Sequence, residues 1–357
     1  MTAVVAVRFA GIAKEFHVND TLNLGFASVR WYGVIIAFGL LLAALFGGRI
    51  AYTWKINLDK MVDVLLYGTI AGIIGARAYY VIFQWSYFKD HLNEIPRIWE
   101  GGLAIYGGII AGILAAYIVC KVEKLNFLNL LDMVGMSLLI GQGIGRWGNF
   151  VNQEAFGTIT GRHWGMMSEK IMEEIARDPK TYGMEGVSNI PAHIAENDLW
   201  VHPTFFYESV WCFLGFALLY FILKKQRRFS GQLFLCYGVW YGFGRMIIEG
   251  LRTDSLYIGQ TSIRVSQVLS GALCLICLVL VIALTIRYKM HPKPIEGIDY
   301  FPQMSEKEQA VWDARDEKRA AKKARRRGES APSEPVRENK EDNAEDIAQE
   351  ESHGNLD

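Results

Sequence analysis

Residues 127–154 read FLNLLDMVGMSLLIGQGIGRWGNFVNQE, an apolar block that passes at once into a polar motif. A block of about 20 apolar residues is long enough to cross the ~30 Å hydrocarbon layer of a bilayer as a helix. An arginine at mid-depth costs roughly 2.5–3.5 kcal/mol on insertion scales, so it persists mainly where it faces a partner, a water-filled cavity or a polar substrate. Arg146, followed by two asparagines and a glutamate, therefore indicates an anion-binding site at a helix end.

The rest of the chain shows the same alternation of long apolar blocks and short charged loops, which is typical of a polytopic membrane protein. Backbone polar groups in lipid have to be satisfied within the segment, so the blocks are expected to be helices. The sequence predicts an all-α membrane protein with seven transmembrane helices, near 31–51, 61–83, 102–120, 127–145, 204–223, 231–250 and 264–286.

Three further segments complete the predicted organisation. An N-terminal outer segment, 1–30, precedes a seven-helix catalytic domain, 31–290. Within that domain the connection 147–203, between the fourth and fifth helices, is too long to be structureless, so we expect a small outer subdomain. A charged tail, 291–357, turns from basic and alanine-rich to acidic and is expected to be disordered. Its basic part is suited to contact anionic lipid headgroups.

Lysine and arginine residues set the predicted orientation. They concentrate in the first, third and fifth connections and after the last block, and the fifth connection alone carries Lys224, Lys225, Arg227 and Arg228. Because basic loops stay on the cytoplasmic side, the C-terminus is predicted to be cytoplasmic and the N-terminus outside. The polar motif at Arg146 then lies towards the outer leaflet.

The cysteines and acidic residues give no sign of metal or cofactor chemistry. All five cysteines lie in apolar blocks, which argues against a disulfide framework. Cys274 and Cys277 form a CxxC pair without a second ligand pair, so a packing role is favoured. Neither a metal nor a cofactor is expected, and the distribution of charge favours membrane lipids, not nucleic acid, as partners.

A second arginine belongs to another candidate cluster. Tyr241, Arg245, Glu249 and Arg252 are spaced by four, four and three residues, so they share one face of a helix. Arg245 lies inside an apolar block, where a cation needs a functional explanation, although a structural ion pair with Glu249 is the alternative. Two arginines on separate helices indicate a site for a phosphate-bearing lipid.

Three ring side chains join the candidates, each with a simpler alternative. Tyr32 starts the first helix, where an interfacial aromatic is common. Tyr106 lies among glycines that would let a substrate approach, but helix packing explains these glycines equally well. His202 is a candidate proton carrier, or a residue that only caps a helix. For Arg146, the simpler alternative is a side chain that only extends to the lipid headgroups. That alternative does not explain the neighbouring asparagines and glutamate.

These motifs resemble those of the bacterial prolipoprotein diacylglyceryl transferases, over roughly residues 25–290. The most specific match is GRWGNFVNQE. The supporting matches are RWYG at 30–33, GGLAIYGG at 101–108, HPTFFYE at 202–208, and YGFGR with Glu249 and Arg252.

The resemblance implies transfer of the diacylglyceryl group of phosphatidylglycerol to the lipobox cysteine in the signal peptide of a preprolipoprotein. A thioether forms and glycerol phosphate leaves, at a site open to the outer leaflet of the bacterial cytoplasmic membrane. By motif position, Arg146 and Arg245 engage the headgroup. The same motifs assign further site residues at Tyr32, Asn149, Glu154, Gly157, Tyr241 and Glu249; Asn152 and Arg252 are added from their place in the two clusters.

One position departs from the family pattern. Many members carry a histidine, proposed as the base, where this chain has Tyr106. A phenol is a weak base at neutral pH, so Tyr106 either depends on a neighbouring arginine or only orients the substrate. The predicted catalytic residues are accordingly Arg146, Arg245, Tyr106, Glu154 and His202. The alternative function is a transporter or flippase for an anionic lipid. Transporters often contain internal repeats, and the sequence shows no convincing repeat between its halves.

Overall fold

The computed structural model describes residues 4–11, 15–23, 28–161, 164–253, 264–293 and 295, with scattered positions between 310 and 321. The chain divides into two units, Met1–Gln303 and Met304–Asp357, and the fold given below is that of the first. The predicted disordered tail lies almost entirely outside the described residues.

Long helices follow the predicted apolar blocks throughout the described residues. They are α1 (Trp31–Thr53), α2 (Leu58–Phe83), α4 (Ile105–Val122), α5 (Phe127–Asn152), α8 (Thr204–Ala217), α9 (Gln232–Glu249) and α10 (Val265–Met290). A π-helical segment (Leu218–Ile222) and a 3-10 helix (Leu223–Gln226) continue α8. Shorter helices are α3 (Trp85–Phe88), α6 (Glu169–Arg177) and α7 (Ile190–Glu196).

Six of these helices are long and apolar enough to cross a membrane, which makes the chain a multi-pass membrane protein. The six are α1, α2, α4, α5, α8 with its continuation, and α10. Helix α9 is not among them, because Gln232, Arg245 and Glu249 lower its mean hydropathy. Its crossing of the membrane stays a prediction.

Glycines bring the helices of neighbouring pairs close together. A Cβ atom added at Gly75 of α2 would lie 2.7 Å from the carbonyl oxygen of Gly107 in α4. In the same way, a Cβ at Gly242 of α9 would lie 2.8 Å from the carbonyl oxygen of Ser270 in α10. These glycines therefore serve helix packing, as small residues commonly do in membranes.

The N-terminal segment and the connection between α5 and α8 form one sheet. Strands β1 (Val4–Phe9), β2 (Phe16–Asn19), β5 (Ile159–Thr160), β6 (Met166–Ser168) and β7 (Trp200–Val201) are ordered β2-β1-β6-β7-β5. Strand β1 runs antiparallel to β6. A separate hairpin, β3 (Thr21–Asn23) with β4 (Ser28–Arg30), leads into α1. The two segments that the sequence separates thus build one unit.

Helix α5 is longer than the apolar block that predicts it. It continues to Asn152 and ends where Gln153 adopts a left-handed conformation, with φ of 50°. Its last turns pack on α8: the Trp147 indole donates to Ser209 Oγ at 3.2 Å, and the rings of Phe150 and Phe205 lie 4.8 Å apart. Residues 146–152 of the polar motif therefore lie on the helix, and Glu154 lies in the loop beyond it.

At the other end of α5, a buried ion pair fixes the start of α9. Arg227 Nη2 lies 2.7 Å from Asp132 Oδ2, and both side chains are fully buried. The Asp132 carboxylate also accepts the backbone N–H groups of Gly231, at 2.7 Å, and Phe234, at 2.8 Å. Arg227 is thus not a free loop cation, although it belongs to the basic cluster that supports the predicted orientation.

Candidate active site

Glu208, near the start of α8, lies between three arginines from other parts of the chain. Its Oε2 is 2.5 Å from Arg146 Nη2 of α5, and its Oε1 is 2.8 Å from Arg245 Nη1 of α9. Oε1 also accepts a hydrogen bond from Arg252 Nη1 at 3.1 Å. Glu208 is 5% exposed. A buried carboxylate thus brings together the two arginines that the sequence assigns to an anion.

A second carboxylate completes the ion-pair network. Arg245 Nη2 lies 2.6 Å from Glu249 Oε2, one helical turn further along α9. Glu249 is 2% exposed, whereas the side chains of Arg146 and Arg245 are 21% and 17% exposed. The carboxylates are therefore buried behind the guanidinium groups, which retain the accessible surface of the network.

Reciprocal tryptophan contacts hold α8 against α9 beside this network. The Trp211 indole donates to the carbonyl oxygen of Trp240 at 3.0 Å, and the Trp240 indole donates to that of Trp211 at 2.9 Å. The two rings stack 4.3 Å apart. Gly244 makes room, since a Cβ there would overlap the Trp211 indole. The lack of a side chain at Gly244 thus allows α8 and α9 to pack closely beside Arg245.

Gly157 holds the segment that carries Arg252. It forms an isolated antiparallel bridge with Arg252, and its N–H donates to the carbonyl oxygen of His202 at 2.9 Å. A Cβ at Gly157 would lie 2.7 Å from the Cβ of His202 and 2.9 Å from the carbonyl oxygen of Leu251. Gly157 therefore acts in the structure through close backbone approach. The His202 ring lies beside it, with Nδ1 3.2 Å from the Tyr207 hydroxyl.

The two asparagines of the motif contact Glu154. Asn149 Nδ2 donates to Glu154 Oε1 at 3.1 Å, and Asn152 Nδ2 reaches the same oxygen at 3.4 Å. Glu154 itself is exposed. These contacts tie the loop after α5 to the last turns of the helix, on the side that carries Arg146.

A cavity of about 400 Å³ runs along α1 and α5 and has Arg146 and Asn149 at one end. Its lining residues are Tyr32, Ile36, Leu40, Ala43, Leu138, Gly141, Gln142, Gly145, Arg146 and Asn149. From Asn149 to Leu138 the helix rises by roughly 16 Å, at about 1.5 Å per residue. Tyr32, Arg146 and Asn149 make one end of the cavity polar, whereas the other side chains that line it are apolar except for Gln142. Leu40, one of these apolar residues, is 63% exposed. This is the shape that suits an amphipathic lipid with an anionic headgroup.

Tyr32 and Tyr241 border this region from two helices. Tyr32 lines the cavity, and its ring lies over Gly148, where a Cβ would be 2.9 Å away. Tyr241 stacks on Tyr237 with 5.7 Å between ring centroids. The Tyr237 hydroxyl accepts a hydrogen bond at 2.9 Å from Gln142, which also lines the cavity.

Tyr106 is not part of the ion pairs described above. It is the second residue of α4 and is 54% exposed, and it does not line the cavity. The loop before it is held by Arg77 of α2, which donates to the carbonyl oxygens of Glu94, Ile95 and Gly101 at 2.6–2.8 Å. The structure thus fixes the start of α4 without bringing Tyr106 into the ion-pair network.

Glu208 is the residue that the sequence analysis missed. It appears there only as the last letter of HPTFFYE. A carboxylate at the start of an apolar helix is costly unless it is paired, and the same reasoning that selects Arg245 selects Glu208 too. Its three partners are far apart in the chain, so spacing alone does not reveal them.

The arrangement is suited to stabilising negative charge on a phosphate. Preorganised cations in a poorly hydrated site do this without reorganising during the reaction. Guanidinium groups offer paired donors that match phosphate oxygens. The described residues contain no group of three or more His, Cys, Asp or Glu side chains arranged to hold a metal ion.

Comparisons of the sequence with known proteins point to one family. The sequence model of the family described as prolipoprotein diacylglyceryl transferase matches residues 20–283. The phosphatidylglycerol--prolipoprotein diacylglyceryl transferase of Staphylococcus aureus strain Newman is 42% identical over 282 residues, covering 78% of this chain and 93% of the relative. The protein of the same name from strain JH9 gives the same values.

Proposed function

We propose that this chain, which belongs to the prolipoprotein diacylglyceryl transferase family, transfers the diacylglyceryl group of phosphatidylglycerol to the lipobox cysteine of preprolipoproteins. It thereby catalyses the first step of bacterial lipoprotein maturation as a membrane-bound transferase. The name of the Staphylococcus aureus relatives supports both substrates. The observation that carries the proposal is the pair Arg146 and Arg245, gathered by Glu208 at the polar end of the lipid-shaped cavity.

The reaction has a simple balance of bonds. The sulfur of the substrate cysteine forms a bond to the glyceryl carbon that carries the phosphate, and the bond between that carbon and the phosphate oxygen breaks. Glycerol phosphate leaves with the bonding electrons, so negative charge grows on its oxygen. Arg146 and Arg245 stabilise that charge through N–H groups directed at the phosphate. The thiol proton is transferred to an acceptor as the thiolate forms.

The other candidate residues have supporting roles in this proposal. Tyr32 and Asn149 contact the lipid where the cavity meets the arginines, and Asn152 with Glu154 holds the loop above it. Glu249 and Arg252 orient Arg245 and Glu208, and Gly157 holds the backbone of Arg252. Tyr241 packs on Tyr237, whose hydroxyl contacts the cavity residue Gln142.

Two residues are candidates for handling the thiol proton. Tyr106 lies at the start of α4, with an exposed ring that a signal peptide can reach. His202 is paired with Tyr207, which gives its ring a fixed orientation. A loss of transfer in Tyr106→Phe or His202→Gln, with lipid binding retained, identifies the residue that acts.

We place the site at the outer leaflet of the bacterial cytoplasmic membrane. The positions of lysine and arginine in the loops favour a cytoplasmic C-terminus and an outer N-terminus. With α9 as a seventh span, the ends of α5 and α9 that carry Arg146 and Arg245 face outward, and so does the start of α8, which carries Glu208. Arg245 and Glu249 neutralise each other in part, which lowers the cost of placing α9 in the membrane.

The experiment that tests the function uses purified protein, phosphatidylglycerol and a peptide with a lipobox cysteine. Mass spectrometry should show the peptide gaining one diacylglyceryl group, and a matched peptide with serine in place of cysteine should remain unmodified. A lipid transporter is the second candidate, since arginines in membrane helices also bind transported anions. Movement of lipid between the leaflets of vesicles without modified peptide would select the transporter.

A further inference from the structure

The wall that α5 contributes to the cavity changes in polarity in regular steps. Leu138, Gln142, Arg146 and Asn149 all line the cavity and are spaced by four, four and three residues, so they share one face of the helix. Each step of four residues advances this wall by about 6 Å. An apolar side chain is followed by an amide and then by a guanidinium group. A diacyl phospholipid has the same order of groups, from apolar chains through polar esters to a phosphate.

Gln142 is the polar residue of this row that the ion pairs do not explain. Its Nε2 donates to the Tyr237 hydroxyl of α9 at 2.9 Å, which links α5 to α9. Its Oε1 is buried and has no hydrogen-bond partner among the described residues. An amide offers two N–H donors and one carbonyl acceptor, so the contact with Tyr237 uses only part of its capacity. A buried polar atom without a partner is costly, which points to a further partner in the lipid-bound protein.

The Tyr237 hydroxyl allows the amide of Gln142 to bind in either orientation. A phenol hydroxyl both donates and accepts hydrogen bonds, so it can donate to Oε1 as well as accept from Nε2. When the amide is turned, Oε1 is paired with Tyr237 and both N–H groups are free to donate. Gln142 is only half-buried and lines the cavity, so its amide can reach a bound lipid. The ester carbonyl oxygen of a diacyl lipid accepts hydrogen bonds and matches such a donor.

We propose that Gln142 is a specificity-determining residue, whose amide donates a hydrogen bond to an ester carbonyl oxygen of the bound phospholipid. This inference rests on the proposed function, since it concerns the lipid that the same cavity binds. With the phosphate at Arg146, the ester groups lie one helical turn further along the wall, at Gln142, and an acyl chain continues past Leu138. The site therefore prefers ester-linked lipids to ether-linked lipids, which lack the carbonyl group.

The test compares two lipids that differ only in this carbonyl group, and it does not require turnover. Native mass spectrometry gives apparent Kd values for diacyl phosphatidylglycerol and for its dialkyl ether analogue with chains of equal length. Gln142→Met removes the amide but keeps an unbranched side chain, and Tyr237→Phe removes the hydroxyl that pairs with the amide.

Two control variants separate the hydrogen bond from other effects of a methionine. Leu138→Met changes a cavity residue on the same face of α5 that has no polar group to lose. Gln84→Met removes an exposed amide at the end of α2, outside the cavity. Both controls should keep the wild-type ratio of the two Kd values, even if Leu138→Met changes the affinity for both lipids.

We expect wild-type protein to bind the diacyl lipid about fivefold more tightly than the ether lipid, as befits one hydrogen bond. Gln142→Met should bring the ratio of the two Kd values to about one, mainly by weakening the diacyl lipid. Tyr237→Phe should lower the ratio as well, because the turned amide then has no partner for Oε1. If Gln142→Met is not stably folded, the ratio in Tyr237→Phe decides the question.

Equal Kd values for the two lipids in wild-type protein would overturn the inference without any variant, and would leave Gln142 as a link between α5 and α9. A wild-type ratio in folded Gln142→Met would overturn it too, because another group would then read the carbonyl. The proposed function is judged separately. Wild-type protein that modifies the lipobox peptide but binds both lipids equally refutes only the role of Gln142. Wild-type protein that neither binds phosphatidylglycerol nor modifies the peptide refutes the function itself.

Discussion

Replacing Arg245 by lysine keeps a positive charge at the site but removes the planar pair of donors. In the structure Arg245 uses Nη1 for Glu208, at 2.8 Å, and Nη2 for Glu249, at 2.6 Å, while 17% of its side chain stays exposed. A single ammonium group on a more flexible stem does not serve two carboxylates and a phosphate at once. The predicted result is a site that binds lipid but stabilises the leaving phosphate poorly.

The expected size of this effect follows from the N–H donor that lysine does not supply to the phosphate. Removing one preorganised donor from a developing oxyanion typically costs about 2.7–4 kcal/mol, or roughly 10²–10³ in kcat. Since the charge is kept, binding of phosphatidylglycerol should weaken much less than kcat falls. We therefore predict a kcat about 100-fold to 1000-fold below wild type for Arg245→Lys, with a KM for the lipid changed by less than about tenfold.

The assay is a time course of diacylglyceryl transfer to a lipobox peptide by purified protein. Arg177→Lys is the matched control, because Arg177 is an exposed arginine of α6 whose side chain is 75% exposed. Thermal unfolding of each variant shows whether the protein is folded. A folded Arg245→Lys protein that keeps more than a third of the wild-type kcat would refute the assignment of phosphate stabilisation to the paired donors.

Three further predictions concern other parts of the molecule. Tyr106→Phe should lower kcat while the KM for phosphatidylglycerol stays at the wild-type value, because Tyr106 does not line the cavity; full activity would reduce Tyr106 to packing. Leu40→Trp, which narrows the cavity, should raise the KM for long-chain phosphatidylglycerol several-fold. Leu41 is similarly exposed but does not line the cavity, so Leu41→Trp should leave this KM unchanged. Equal KM values for the two variants would show that the lipid does not bind in the cavity. Asp132→Asn should lower the free energy of unfolding by about 3–5 kcal/mol, because it leaves the buried Arg227 without its charge partner. The control in thermal unfolding is Asp90→Asn, at an exposed ion pair. Equal Tm values for the two variants would contradict a stabilising role of the Asp132–Arg227 pair.

The helices could be predicted well from the sequence because lipid imposes a simple rule on them. Each described long helix starts within about four residues of its predicted block. The largest error is at the end of α5, which continues to Asn152 past the apolar residues. There the helix is stabilised by contacts of Trp147 and Phe150 with α8, and such tertiary contacts leave no mark on hydropathy.

The sheet could not be predicted because its strands are short and far apart in the chain. Strands β1 and β6 pair although more than half of the described residues lie between them in the sequence. Strands β5 and β7 have two residues each. Alternation of polar and apolar residues is not detectable over so few positions. The N-terminal segment therefore looked separate from the subdomain that it completes.

The arginines of the candidate site could be predicted from the sequence, but Glu208, which brings them together, could not. Arg146 and Arg245 stand out because a cation in an apolar segment is rare. Glu208 is also a charge in an apolar segment, but its burial between three arginines depends on the packing of α5, α8 and α9, which the sequence does not reveal. The roles of Tyr106 and His202 rest on motif position, and their part in proton transfer stays a prediction.

The most direct test of the account is an experimental structure of the protein with bound phosphatidylglycerol. The central claim is that both arginines engage the lipid phosphate while Glu208 holds them together. The predicted result is a phosphate with oxygens roughly 2.7–3.2 Å from both the Arg146 and the Arg245 guanidinium groups, and with an acyl chain along the cavity between α1 and α5. A phosphate bound elsewhere, with Arg146 and Arg245 still engaged only by Glu208 and Glu249, would contradict it.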